Sequence, residues 1–373
     1  MTLFYTFQML TDDNFDDLKQ KGYTVVSNVM TTDECNHAIG QYREWLSQFK
    51  DGDWPLSSMS LIQKYNTGHM EPTWFARLKA KQVFAQVWKT EKLLSSVDAI
   101  AIGRPPEDGQ EPFHKAGQHW LHMDQGSSRV GLHAYQGAVY LEAADEDDWT
   151  LHVLDGSHLH FKEFYETNER ARIRTEDFEF YRLQQQDVEF YKSRNCKDKT
   201  VAVPKGGMVL WDSRLVHANS NPREGRAHAG RWRFCVFVSM TPAIWASADD
   251  MLVKKEAYDN VCMTTHWSST RVQYSNSRTI IPATKTIEFP KTLPAIAKSA
   301  EAQRLAGAMP YDFTDGKPNG DDYIPKFRTT TQSENELRFP TNTSKTNYGL
   351  LFLKLLGIVI VGVAAVSVKR YLK

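Results

Sequence analysis

The sequence has few cysteines and no paired cysteine motif. Its 373 residues contain only Cys35, Cys196, Cys235 and Cys262, all far apart. This spacing is not that of a disulfide-stapled or zinc-finger domain, and it favours a reducing compartment. An excess of positive charge is also lacking, because 45 Lys and Arg residues balance 45 Asp and Glu residues. A protein that binds nucleic acid mainly through charge is normally basic, so we expect no nucleic-acid partner.

The amino terminus lacks the features of a secretory signal. It has no basic region ahead of an apolar run, and acidic residues begin at Asp12. Hydrophobic residues make up 41% of the chain and charged residues 24%, which is close to the globular average and excludes wholesale disorder. A chain of this length can bury a sizeable core in one large domain or two smaller ones. Nothing in the sequence indicates an obligate protein partner.

Short β-rich segments dominate the middle of the chain. Helices are predicted ahead of them, at residues 32–49 and 71–90, and a charged, aromatic stretch at 161–194 is predicted as a helical insertion between strands. Many short strands without regularly alternating helices indicate a sandwich or barrel rather than a parallel α/β sheet. The predicted strand segments are 93–102, 128–141, 150–154, 200–203, 207–211 and 233–240.

One long apolar run lies near the carboxyl end. Residues 349–368 contain a single charge, Lys354, and as a helix they would match the ~30 Å hydrocarbon core of a bilayer. A polar linker (314–348) precedes this run and a basic tail (369–373) follows it. A buried helix at the domain end is disfavoured, because the run is apolar on all sides. We predict a C-terminal transmembrane helix that anchors a cytosol-facing domain of residues 1–313, with its core at 15–242 and an extension at 243–313.

Two motifs place a carboxylate two residues after a histidine, namely His69-Met-Glu71 and His122-Met-Asp124. Chance alone predicts about 1.4 such motifs in this composition, so the pattern by itself carries no weight. His69 precedes a predicted helix, and we expect it on a surface turn without a metal. His122 and Asp124 stand beside β-rich sequence. Residues i and i+2 share one face of a strand, so these two side chains could converge on one ion.

A third candidate ligand lies downstream. Residues 205–217 predict a turn, an apolar strand, a polar turn and then His217 on a second strand. Two histidines and one carboxylate on one face leave coordination positions open, which suits Fe(II) oxygen chemistry. Arg231 and Arg233 open the next strand and share one face of it, and arginine can hold a carboxylate in a two-point fork.

These motifs, taken in order, resemble the phytanoyl-CoA dioxygenase-like branch of the Fe(II)/2-oxoglutarate oxygenases. The resemblance covers about residues 15–242. It implies a mainly β (α+β) fold, a double-stranded β-helix (jelly roll) with flanking helices. It is carried by His122-x-Asp124, Gly156-Ser-His158, the Gly-Gly-Met-Val-Leu-Trp-Asp-Ser-Arg-Leu-Val-His217 block and the arginine that follows.

The resemblance also assigns roles to residues. His122, Asp124 and His217 would ligate Fe(II), and Arg233 would bind the distal carboxylate of 2-oxoglutarate, with Arg231 as the alternative. Gln136 lies on the strand after the ligand loop. A cross-strand hydrogen bond is the preferred interpretation for it, and a cofactor or substrate contact is the weaker one.

The expected function is that of a membrane-anchored, non-haem Fe(II)/2-oxoglutarate-dependent dioxygenase. Such an enzyme uses O₂, with ascorbate as reductant in vitro, and here would hydroxylate a C–H bond of a small-molecule or lipid-like substrate. Two alternatives stay open, a catalytically inactive jelly-roll binding or structural module on a membrane and a cupin-like metal hydrolase. The arginine on the last strand discriminates, since a hydrolase needs no 2-oxoglutarate clamp.

Overall fold

The computed structural model describes residues 9–49, 53–177, 179–275 and 287–328. All of them belong to the first of the two units into which the chain divides, Met1–Phe339. Within these ranges the helices are α1 (Asp12–Gln20), α2 (Thr32–Leu46), α3 (Glu71–Trp88), α4 (Phe161–Thr167), α5 (Glu169–Asp177), α6 (Gln185–Lys192), α7 (Ala248–Asp259) and α8 (Ala300–Ala306).

The strands form two antiparallel sheets and a short third pair. In chain order they are β1 (Tyr23–Val26), β2 (Leu61–Ile62), β3 (Leu93–Ser95), β4 (Ile100–Gly103), β5 (His122–Met123), β6 (Arg129–Val130), β7 (Tyr135–Tyr140), β8 (Thr150–Leu154), β9 (Tyr181–Arg182), β10 (Asp198–Val201), β11 (Met208–Asp212), β12 (His217–Ser220), β13 (Arg233–Pro242) and β14 (Lys326–Phe327). The larger sheet has the order β1-β11-β7-β13-β4-β2, with β3 also paired to β13, and the smaller sheet has the order β10-β8-β12-β5-β9.

Period-2 alternation along the larger sheet divides its side chains between two cores. Val139 and Leu210 face one side and pack with α2 and α3. Ala138 and Trp211 face the other side and pack against Val153 of the smaller sheet. The strands are therefore buried on both faces, which explains why their sequences are apolar rather than alternating. This arrangement of two facing sheets with flanking helices confirms the predicted jelly-roll class.

The predicted helices on the outer side of the larger sheet are confirmed. Thr31 starts α2 with a capping box, in which its hydroxyl accepts from the Glu34 amide and the Glu34 carboxylate accepts from the Thr31 amide. The predicted turn ahead of β11 depends on Gly206, which has a φ of +74°, and a Cβ atom at this position would lie only 2.0 Å from the Met30 carbonyl oxygen. No other residue fits there, because a side chain would collide with the backbone.

The stretch 161–194 forms α4, α5 and α6, with the short strand β9 between α5 and α6. Phe164 and Tyr191 from these helices pack on the outer face of the smaller sheet, against Met123, Val216 and Ala218. The insertion is thus mainly helical, as predicted, and β9 extends the sheet beside β5.

The boundary predicted between domain and linker at 313/314 does not match the folded part of the chain. β14 pairs with β6, and Lys92 Nζ donates to Asp315 Oδ1 at 2.6 Å and Asn319 Oδ1 at 2.7 Å. Residues 314–328 therefore pack on the domain despite their polar composition, because backbone and side-chain hydrogen bonds replace an apolar face. The rest of the predicted linker, the predicted transmembrane helix (349–368) and the basic tail lie outside the described residues. Among the helices that are described, none has the length and apolar character needed to cross a bilayer.

Candidate active site

His122, Asp124 and His217 come together between the two sheets. β5 pairs with β12 so that His122 and His217 stand directly opposite each other, with ring centroids 4.4 Å apart. Asp124 Oδ1 lies 3.6 Å from His122 Nε2, and Asp124 Oδ2 lies 3.4 Å from His217 Nε2. One potential ligand atom from each residue falls within 4.8 Å of the others. The same alternation that turns Met123 and Val216 toward the helices turns these two imidazoles inward.

Backbone carbonyls fix the orientation of both imidazoles. His122 Nδ1 lies 3.1 Å from the Trp120 carbonyl oxygen, and His217 Nδ1 lies 3.0 Å from the Leu215 carbonyl oxygen. In each ring Nδ1–H donates to the carbonyl, which leaves the lone pair of Nε2 directed toward Asp124. This tautomer is the one a metal ion at the centre of the three residues requires.

The local electrostatics favour the ligating forms of these groups. Burial, reinforced by the neighbouring His217, lowers the pKa of His122 to about 4. Burial alone would raise the pKa of Asp124, yet the imidazoles of His266, His122 and His217 outweigh it and hold that pKa well below its ordinary value. At neutral pH the site therefore presents a neutral His122 and an ionised carboxylate.

Gln136, on β7 of the larger sheet, reaches across to this centre. Its Nε2 donates to Asp124 Oδ2 at 3.1 Å. Gln136 thus orients the carboxylate from the facing sheet, through a bond between sheets where the sequence favoured one between neighbouring strands. Such partners hold a ligating carboxylate in place and are part of the design of a metal site.

The two candidate clamp arginines have different environments. Arg233 is 3% exposed, and its partners are neutral: Ser60 Oγ at 3.1 Å, Tyr140 OH at 3.4 Å and Cys235 Sγ at 3.4 Å. No carboxylate of the described residues forms an ion pair with it. Arg231 is ion-paired with Asp145 at 2.9 Å and Asp148 at 2.6 Å. A buried guanidinium without a counterion is costly, so Arg233 is the arginine suited to a ligand carboxylate.

Arg233 lies between the same two sheets as the His–Asp–His centre. The Tyr140 hydroxyl, which accepts from Arg233, lies 3.3 Å from Thr150 Oγ1 on β8. Thr150 pairs with Ser220 on β12, and three residues along the same ladder Val153 pairs with His217. Three strand residues span about 10 Å. A five-carbon dicarboxylate can bridge that distance when one end is bound to a metal and the other is hydrogen-bonded.

Two other histidine motifs have structural roles. In Gly156-Ser-His158, the Ser157 hydroxyl accepts from the Val216 amide at 2.9 Å and so fixes the turn that leads to His217. His69 is fully buried, not on a surface turn as predicted, and its Nε2 lies 2.9 Å from the Cys262 carbonyl oxygen. Burial lowers the pKa of His69 to about 4. The sequence could not reveal this burial, because the Cys262 segment that covers His69 is distant in the chain.

The sequence alone gave no role to three residues near the centre, His266, Asp98 and Phe180. His266 is the largest of the influences that lower the pKa of Asp124, and it opposes the burial that raises the pKa of Asp98. Phe180, from the helical insertion, lies with its ring centroid 4.9 Å from that of His122. Phe180 is 46% exposed, so it stands at the mouth of the site. All three come from segments outside the metal-ligand motifs, and no spacing rule connects them to those motifs.

Arg129 joins the segments that surround the site. It is fully buried, and its Nε donates to Glu179 Oε1 at 2.6 Å. The same guanidinium donates to the Thr270 hydroxyl and carbonyl and stacks 3.5 Å from the ring centroid of Trp267. Arg129 therefore holds both the residue before Phe180 and the residue after His266.

The chain belongs to the phytanoyl-CoA dioxygenase (PhyH) family, whose sequence profile matches residues 18–223, more than half of its length. Family membership and the geometry of the His–Asp–His centre define it as an oxygenase of the dioxygenase type. Together they confirm the predicted cofactors, Fe(II) and 2-oxoglutarate. The chemistry of the donor set fits the metal, and the buried Arg233, which has no ion pair among the described residues, fits the carboxylate.

Individual proteins resemble this chain more distantly. Ava biosynthesis cluster protein O of Aspergillus versicolor is 24% identical over 270 residues, which cover 67% of this chain and 84% of that protein. The crystal structure of GlcNAc Inducible Gene 2 (GIG2) from Candida albicans has a TM-score of 0.54 at 15% identity, covering 84% of this chain and 79% of that one. EctD from S. alaskensis, crystallised with bound Fe, has a TM-score of 0.42 at 14% identity over 62% of this chain and 76% of its own. The likeness to GIG2 shows a shared fold.

Proposed function

We propose that this protein hydroxylates a C–H bond of a small-molecule or lipid-like substrate, as an Fe(II)/2-oxoglutarate-dependent dioxygenase. In this proposal His122, Asp124 and His217 ligate the iron, and Arg233 holds the distal carboxylate of 2-oxoglutarate. Bound there, Fe(II) and 2-oxoglutarate would supply the chemistry of the reaction, in which O₂ and 2-oxoglutarate are consumed, succinate and CO₂ are formed, and the substrate C–H bond becomes C–OH.

The proposal is based on two features found together. The His–Asp–His centre faces inward, and a buried arginine between the same two sheets has no carboxylate partner in the described part of the chain. A metal hydrolase needs the first feature and has no use for the second. An inactive binding module needs neither, and a buried, uncompensated charge would destabilise its fold. Both alternatives therefore explain less of the site than the oxygenase does.

The residues around the site each have a defined role in this proposal. The Trp120 and Leu215 carbonyls hold the two imidazoles with Nε2 facing the metal position. Gln136 keeps one oxygen of Asp124 engaged, which limits the carboxylate to the orientation that faces both imidazoles. Arg233 orients 2-oxoglutarate along the space between the sheets. Phe180 and Trp120, both in contact with the His122 ring, exclude water from the centre.

Replacing His217 with alanine tests the metal assignment. The change leaves two of three ligands, so we expect the purified His217→Ala protein to lose stoichiometric iron while circular dichroism shows a folded chain. His228→Ala is the matched control, since His228 is exposed and contacts only Asp145 among the described acidic residues. Elemental analysis after anaerobic Fe(II) loading gives the answer, and full iron content in folded His217→Ala would contradict the proposed ligand set.

A further inference from the structure

The segment 262–275 of the C-terminal extension brings His266 to the proposed iron site. The Thr264 amide donates to the Val97 carbonyl at 2.9 Å, and the Val97 amide donates to Thr264 Oγ1 at 2.9 Å. Two residues beyond His266, the Ser268 hydroxyl donates to the Ser239 carbonyl at 2.7 Å. Ser239 stands directly opposite Gln136 in the larger sheet. Gln136 in turn donates to Asp124, so the segment that carries His266 is tied to the residues around the centre.

His266 lies near two carboxylates but bonds to neither. Its neighbour Thr264 bonds to Val97, next to Asp98. Its neighbour Ser268 bonds to Ser239, opposite the Gln136 that holds Asp124. Among the described residues, however, no ion pair of 4 Å or less joins His266 to a carboxylate. His266 Nε2 is buried and has no hydrogen-bond partner there. A buried polar nitrogen left without a partner is costly, which indicates a group that a ligand completes.

Asp98 also has unused hydrogen-bonding capacity. One of its oxygens accepts from the Ala99 amide at 2.7 Å, and no hydrogen bond in the described part of the chain engages the other. Asp98 is partly exposed, unlike the fully enclosed Arg77, which is among the charges that act on it. The His266–Asp98 pair therefore offers a nitrogen and a carboxylate oxygen that no described residue engages.

The surroundings of His122 supply an apolar complement. Trp120 stacks on the His122 ring with centroids 4.5 Å apart, and Phe180 lies against the same ring and is half-exposed. A ligand that enters beside these rings meets aromatic surface as well as the His266–Asp98 pair. Such a site suits a molecule with an apolar body and one hydrogen-bonding group.

We propose that His266 and Asp98 contact the substrate and determine specificity by holding a hydroxyl or amino group beside the C–H bond that is hydroxylated. This inference rests on the proposed function of the site, because it takes the iron position as the place of reaction. It gives the C-terminal extension a task in the active site. It also narrows the substrate to amphipathic molecules that carry a hydrogen-bond donor.

Three matched probes test the inference: cyclohexanol, cyclohexylamine and methylcyclohexane, which differ only in the hydroxyl, amino or methyl group. Saturation-transfer NMR on the metal-free full chain measures their binding without any turnover. We expect the wild type to prefer a polar probe over methylcyclohexane. His266→Phe should reduce that preference about three- to ten-fold, the worth of one hydrogen bond. His266→Gln, which keeps a donor and an acceptor, should retain it.

The variants also separate the two polar groups. Asp98→Asn should weaken cyclohexylamine more than cyclohexanol if the substrate group is an amine, and both about equally if it is a hydroxyl. The exposed His228→Phe is the matched control and should change nothing. An unchanged preference in both His266→Phe and Asp98→Asn would overturn the inference, as would a His266→Gln protein that behaves like His266→Phe.

A second measurement keeps this inference distinct from the proposed function. Iron content and basal conversion of 2-oxoglutarate to succinate are measured on the same four variants and the wild type. If the wild type binds no iron and consumes no 2-oxoglutarate, the proposed function fails, whatever the probes do. If the wild type binds iron and consumes 2-oxoglutarate, as the exposed-site control His228→Phe also should, and probe preference falls in His266→Phe, both stand.

Discussion

Arg233 is the first residue of β13 and Arg231 lies two residues before it. Their different surroundings predict a large effect on 2-oxoglutarate binding for one mutation and a small effect for the other. Arg233→Ala removes the charge-assisted fork proposed for 2-oxoglutarate, which is worth about 2–3 kcal/mol, or roughly a 30- to 150-fold rise in Kd. Arg231→Ala breaks only ion pairs with Asp145 and Asp148. It should leave Kd within about two-fold of the wild type, since those pairs lie away from the ligand. Anaerobic titration of the Fe(II)-loaded proteins with 2-oxoglutarate measures both values.

The reverse ranking of these two variants would show that Arg231 is the clamp and that our choice between the two positions on this strand face is wrong. Equal affinity for 2-oxoglutarate in both variants and the wild type would show that neither Arg231 nor Arg233 binds this cofactor. Iron content serves as the internal check, because neither arginine contacts the metal-ligand side chains and neither change should lower it.

At the scale of elements, the short strand β6 contains Arg129, which contacts several of the segments around the site. Arg129 bonds Glu179 of the insertion and Thr270 of the extension, while Phe327 of β14 lies with its ring centroid 5.1 Å from the guanidinium. Arg129→Met would leave the largely buried Glu179 without its close partner. We expect the free energy of unfolding to fall by about 3–5 kcal/mol, the usual cost of breaking a buried pair.

Urea denaturation of the purified chain measures this loss, with the exposed Arg182→Met as control. Hydrogen exchange adds a local readout, since amides of 262–275 and 326–328 should exchange faster in Arg129→Met than amides of α2. A loss below about 1 kcal/mol, or uniform exchange across the chain, would show that these elements do not depend on Arg129.

For the whole molecule, Lys254 predicts how stability changes with pH. Its side chain is 1% exposed, with Nζ donating to the Ser95 carbonyl at 2.7 Å. Burial, with nearby Arg77, lowers its pKa to about 7, although Asp250 opposes the change. Between pH 7 and the ordinary lysine pKa the unfolded chain holds a proton that the folded chain has lost. Lys254 therefore adds stability as pH rises, by up to about 1.4 kcal/mol per pH unit.

Lys254→Met should abolish this contribution. The difference in unfolding free energy between wild type and variant should grow in favour of the wild type from pH 7 to pH 10 and stay constant below pH 6. Lys255→Met is the matched control, because the neighbouring Lys255 is exposed and pairs with Asp259 one helical turn away. Parallel curves for wild type and Lys254→Met across this range would contradict the lowered pKa.

The anchoring of the whole chain remains a proposal based on sequence. We propose that residues 349–368 insert into a membrane and that the oxygenase domain faces the cytosol. The full-length protein should then stay with membranes during carbonate extraction, whereas a chain ending at Tyr348 should be released. Protease added to intact vesicles should digest the domain. Release of the full-length chain would contradict the anchor, and protection of the domain would contradict its orientation.

The sequence by itself determined the ordered motifs, the metal-ligand candidates and the class of fold. His122 and Asp124 share a strand face because of local geometry, and the block ending at His217 carries its own turn and strand signals. Period-2 alternation then directs both imidazoles to one side. These features depend on contacts within a few residues, which is why spacing and composition reveal them.

Only the tertiary structure distinguished the surroundings of Arg231 from those of Arg233 and brought the segment of His266 to the residues around the centre. Both arginines satisfy the same sequence pattern, and they differ in whether Asp145 and Asp148, more than 80 residues earlier, lie within reach. His266 reaches the site because Thr264 and Ser268 bond to residues of distant strands. Long-range pairings of this kind leave no periodic trace in the sequence, since each depends on how separately formed elements pack.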